Sequence, residues 1–192
     1  MKREDLIELV NSFEKTLNIL NANGLHDSKL RSRYAEFLVA LILAERGHNV
    51  QVLNKRDNSN ADIYMPDKGI RVEVKSGLYK PEDDAFTTDA SFGHGEQIGK
   101  KFDFCVFVTF NEGKTKPEEL FVFSSDNLKE VKESDRKISG FPETNPCLLL
   151  RYRSYKEYEK YFETKEWKQD MLKIEIKLHK HPEEYQNWDI IK

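Results

Sequence analysis

Ala61-Asp62-Ile63-Tyr64-Met65-Pro66-Asp67-Lys68-Gly69-Ile70-Arg71-Val72-Glu73-Val74-Lys75 is the stretch from which the fold is read. Both flanks alternate apolar and polar residues, the period-2 pattern of half-buried strands. Pro66-Asp67-Lys68-Gly69 supplies turn chemistry between them: proline presets φ and glycine accepts a positive φ. The pattern predicts a hairpin. If the turn is centred between Asp67 and Lys68, Met65 faces Ile70, Ile63 faces Val72 and Asp62 faces Glu73. Directly opposed Cβ atoms lie roughly 4.5–5.5 Å apart, so two carboxylates are expected side by side. Lys75 follows Glu73 by two positions and shares its face. Acid against acid is unfavourable without a cation between the two or a raised pKa on one. The hairpin therefore reads either as a divalent-metal site or as an ordinary charged, solvated face.

Glu36 adds weight to the metal reading. It sits within Tyr34-Ala35-Glu36-Phe37-Leu38-Val39-Ala40-Leu41-Ile42-Leu43-Ala44, where every other residue is apolar or Tyr. A helix apolar nearly all round is buried, and a buried carboxylate needs a partner. Two partners are open: Arg33, three residues back and within helical reach, or a metal ion shared with Asp62 and Glu73.

An acid, a second acid eleven positions on, then x-Lys on a strand, with a helical Glu upstream, resembles the PD-(D/E)xK nuclease superfamily, and type II restriction endonucleases most. The matching residues are Glu36, Asp62, Glu73 and Lys75, although Ala61 stands where the family often has Pro. The surrounding order supports the likeness: a helix over 28–46, a strand near 49–53, the hairpin, a candidate helix near 92–101 and a strand over 102–110. The resemblance implies an α/β fold with a restriction-endonuclease-like core (helix, three strands, helix, strand), its mixed central sheet flanked by helices. It implies a Mg²⁺-dependent endonuclease acting on double-stranded DNA, with Mn²⁺ able to substitute. Asp62, Glu73 and the Val74 carbonyl would hold the ion. Glu36 would orient a metal water or join a second ion, and Lys75 would position the attacking water or neutralise phosphate. Gln97, on the helix after the Lys, is a further catalytic candidate, equally readable as a surface amide. His94, between two glycines, lacks a spaced His or Cys companion and is not taken as a ligand. A homodimer is expected, one site per strand of a palindrome. A repair or junction-resolving nuclease, or a non-catalytic DNA-binding module, are the other readings of the same residues.

The remaining chain fits one domain of 192 residues, with the core over 28–110 and residues 111–192 adding strands and helices. Charged residues make up 34% of the sequence, yet the apolar runs are well organised, so the chain is globular. A net charge of −3 excludes a histone-like nonspecific DNA coat but not local phosphate contacts. Residues 4–21 read as an amphipathic helix ending at Gly24, and Asp27 or Ser28 caps the next helix, which Gly47 closes. Residues 54–60 are a polar loop before Asp62, and 81–95 an acidic loop. Further strands are expected near 120–123 and 147–150, and an aromatic-striped helix over 154–168. Cys105 and Cys147 lie in apolar runs and read as buried free thiols. The N-terminus is charged from the start, and no apolar run is long enough to span a bilayer, so a cytoplasmic protein is expected.

Overall fold

The computed structural model describes residues 1–53, 61–80, 85–91, 102–111, 115–128, 147–150, 173–176 and 182–191. The expected loop at 54–60, the expected helices at 92–101 and 154–168, and with them His94 and Gln97, lie outside the described residues. Helix α1 spans Arg3–Ala22 and α2 spans Ser28–Glu45. Strands follow as β1 (Gln51–Val52), β2 (Ile63–Met65), β3 (Ile70–Lys80), β4 (Ala85–Ser91), β5 (Phe104–Asn111), β6 (Pro117–Ser124), β7 (Cys147–Leu150) and β8 (Lys173–Ile176). The fold is α/β, a mixed sheet with helices packed on it.

Local chemistry explains the helices. The Asp27 carboxylate accepts from the amides of Lys29 (2.9 Å) and Leu30 (3.0 Å), satisfying two of the donors that a helix start leaves open. Gly47, at φ +88°, lets the chain turn back from α2 into β1. Phe13 of α1 stacks on Phe37 of α2 with centroids 5.3 Å apart.

β3 is the central strand. On one edge it pairs parallel with β5 from Val72↔Phe104 to Tyr79↔Asn111, and β5 continues antiparallel to β6. On the other edge β2 pairs with the start of β3 (Met65↔Ile70, Ile63↔Val72) and β4 with its end (Leu78↔Thr87, Lys80↔Ala85), both antiparallel. The second half of β4 pairs with β7, which runs parallel to β8. The two ladders on the second edge leave a break, since residues 73–77 of β3 have no strand partner there among the described residues. The acidic-loop reading of 81–95 is thus corrected over Ala85–Ser91, where the β-branched Thr87 and Thr88 favour an extended chain despite the neighbouring acids.

The two faces of β3 differ. Val72 and Val74 belong to the main core with Val106, Val108, Phe110 and Val122, and α1 and α2 cover them with Leu6, Val10, Tyr34, Phe37 and Leu43. Ser32 of α2 meets Ser76 of β3 on this side, Oγ to Oγ 3.0 Å. Glu73 and Lys75 alternate onto the opposite face, beside the paired positions Cys105 and Phe107 of β5. There Phe107 and Phe123 pack edge to face at 5.5 Å, both fully buried. Among the described residues no helix is long and apolar enough to cross a membrane.

Candidate active site at the break in the β3 edge

Asp62 immediately precedes β2, and the break begins there. Beyond Ile63↔Val72 the hairpin register slips by one residue: the Asp62 amide donates to the Val72 carbonyl (3.1 Å), and the Asp62 carbonyl accepts from the Leu53 amide (2.8 Å). The regular pairing that sets Asp62 directly against Glu73 is therefore corrected, because the Asp62 amide takes the carbonyl of Val72, one residue short of Glu73. The slip turns the Asp62 side chain into the plane of the sheet. Its Oδ2 accepts from the Val74 amide at 2.8 Å, and the residue keeps only 6% of its surface exposed. A strand residue's N–H and C=O point to the same edge, so the Val74 carbonyl also opens onto the break beside Asp62.

Glu73 and Lys75 are joined by an ion pair in which the Lys75 ammonium donates to Glu73 Oε1. Both are largely buried, at 15% and 19% side-chain exposure. Burial by itself lowers the ammonium's pKa. The Glu73 charge and hydrogen bond outweigh it, with smaller help from Cys105 and Asp62, and the net shift is upward from 10.5. Lys75 is therefore a fixed cation at neutral pH. Cys105, directly beside Glu73 in the parallel ladder, is a fully buried free thiol, as its apolar setting predicts. Burial and the neighbouring Glu73 push its pKa well above 9.0, against the opposing pull of Lys75, so it is inert. Electrostatics thus tie Asp62, Glu73, Lys75 and Cys105 into one cluster.

Glu36 is buried, at 5% exposure, as the apolar run around it requires. Its carboxylate accepts from the Arg33 guanidinium, one of the two partners left open by the sequence. It stands one helical turn after Ser32, on the α2 side of β3, whereas Glu73 and Lys75 project from the other side. Among the described residues no three His, Cys, Asp or Glu side chains gather as a ready cage for an ion. The structure thus brings Asp62, Glu73 and Lys75 together around Val74 and holds Glu36 on Arg33. The in-plane hydrogen bond from Val74 to Asp62 was not foreseen, because a hairpin read at regular register has no slip.

No protein-family model matches the chain, and no curated protein matches its sequence. Among solved structures a bacterial homing endonuclease is similar over 53% of this chain and 71% of its own, at 21% identity and a TM-score of 0.39. That overlap is too loose to carry a function from one protein to the other.

Proposed function

We propose that this chain is a metal-dependent endonuclease of PD-(D/E)xK type that hydrolyses phosphodiester bonds in double-stranded DNA, as a homodimer of type II restriction character. The observation that carries the reading is the meeting of Asp62, Glu73 and Lys75 at a break in the edge of the central strand. A structural ion pair needs one acid. Here a second buried acid and a main-chain carbonyl open onto the same gap.

Two carboxylates and a carbonyl are hard oxygen donors, and Mg²⁺ is commonly held by one or two carboxylates while keeping several waters. The residues therefore fit Mg²⁺, with Asp62, Glu73 and the Val74 carbonyl as its holders and Mn²⁺ as a substitute. Each carboxylate has about four acceptor positions, so the bonds to the Val74 amide and to Lys75 leave oxygen lone pairs for an ion. Bound there, the ion supplies charge stabilisation at a phosphoryl oxygen and a water of lowered pKa. Lys75, held protonated, is a poor general base. Its role is to neutralise phosphate charge and to hold the attacking water by donating to it. Glu36, on the α2 side of β3 with Arg33 as its counter-ion, is left outside this set.

Glu73→Ala is expected to abolish Mg²⁺-dependent cleavage of plasmid DNA and to weaken Mn²⁺ binding measured by calorimetry. Cleavage at the wild-type rate by the Glu73→Ala protein would falsify the assignment.

A further inference from the structure

We propose that Lys29 and Arg33, on the stripe of α2 that carries Glu36, form a phosphate-contacting surface for the backbone of duplex DNA. This rests on the endonuclease reading and adds a substrate contact outside the cluster at β3.

Lys29, Ser32, Arg33 and Glu36 are spaced i, i+3, i+4 and i+7, so they lie along one side of the helix. Ser32 fixes that side to the sheet through Ser76, the residue after Lys75. A DNA strand reaching the break would therefore pass the first turns of α2. Lys29 is exposed. Arg33 is about one-third exposed, and its guanidinium lies 5.4 Å from the centroid of the Phe37 ring. Glu36 and the ring hold the guanidinium in place. Its fork has five N–H donors, and the bond to Glu36 leaves others for a phosphate. The anion contact is made by side chains and not by the helix start, because Asp27 already accepts from the amides of Lys29 and Leu30. Arg31, on the other side of the helix, is excluded. Burial lowers its pKa, with Asp27 opposing. With a net charge of −3 the molecule has no general attraction for DNA, so a local basic strip must supply it.

The test is the salt dependence of binding to a fluorescein-labelled mixed-sequence duplex, followed by anisotropy with Ca²⁺ present. Each phosphate contact contributes about −0.9 to the slope of log K against log salt. Lys29→Ala is expected to flatten the slope by about 0.9, and Lys29→Ala with Arg33→Gln by about 1.8. Gln keeps a donor for Glu36, and thermal melts check that each variant folds. Lys15→Ala, on exposed α1 surface, should leave the slope unchanged. Folded Lys29 and Arg33 variants with the wild-type slope overturn the strip while leaving a DNA-cutting protein intact. A wild-type chain that neither binds nor cuts duplex DNA overturns the strip and the endonuclease reading together.

Discussion

Asp62 has one task in the structure and a second in the proposed chemistry, and they can be separated by substitution. Its carboxylate is the acceptor for the buried Val74 amide, and the proposed chemistry asks the same carboxylate to hold a cation. Removing the acceptor strands a buried N–H, at a cost of about 1–3 kcal/mol. Asn keeps a carbonyl oxygen of nearly the same shape but not the charge. Asp62→Ala is therefore expected to lose cleavage and to lower the urea midpoint, while Asp62→Asn loses cleavage and keeps most of the stability. Equal midpoints for Asp62→Ala and wild type would mean that the Val74 amide finds another acceptor. At this scale the sequence shows which side chains matter more readily than how they are held. The apolar run around Glu36 reveals its burial, but spacing does not decide between Arg33 and an ion. Asp62 and Glu73 are legible as neighbours, because Ile63↔Val72 and Met65↔Ile70 pair as the alternation requires. The slip at Asp62 is not legible, since alternation fixes which residues face each other only while the register stays regular.

The hairpin and α2 are the elements that position the site, and both follow from local chemistry. Lys68 donates to the Met65 carbonyl across the turn (3.2 Å), and Gly69 follows at φ +67°. Four-residue hairpin loops are commonly built around such a turn. A Cβ added at Gly69 would meet nothing within 4 Å. The cost of a side chain there is then the left-handed backbone alone, about 1–2 kcal/mol for Ala. Gly69→Ala is expected to lower the unfolding free energy by that amount, read as a lower urea midpoint at constant m-value, and to leave cleavage per folded molecule unchanged. Gly69→Asn should lower it less. A drop in cleavage out of proportion to folded protein would show that the turn itself touches substrate. The extent of β3 and the existence of β4 are less legible. Past Lys75 the alternation fades, and the acids around 82–89 resemble a loop, although β4 pairs with β3 from Thr87↔Leu78 to Ala85↔Lys80. Lys173–Ile176 has a short apolar–polar alternation of its own, but four residues among mixed charges are too few to mark β8 without its partner β7.

For the whole molecule, the burial of β5 and of α2 follows from the continuous apolar run at 102–110 and the nearly all-apolar helix, so that part of the core is legible. Assembly is not, because no stretch of the sequence marks an interface by its pattern. It is argued instead from the substrate. The described chain brings together one Asp62–Glu73–Lys75 cluster, whereas a duplex offers two strands of opposite polarity related by twofold symmetry. A single copy must cut one strand, release and return. Two copies on a twofold axis, the commonest oligomeric arrangement, meet both strands in one encounter. Supercoiled plasmid is therefore expected to pass to the linear form without accumulation of open circles, and the protein to sediment at twice the monomer mass on a specific duplex. Open circles that build up and then decay, with a monomer mass on DNA, would leave the cleavage chemistry standing and remove the dimer. That result would also move the reading from restriction of a palindrome toward nicking of one strand at a time.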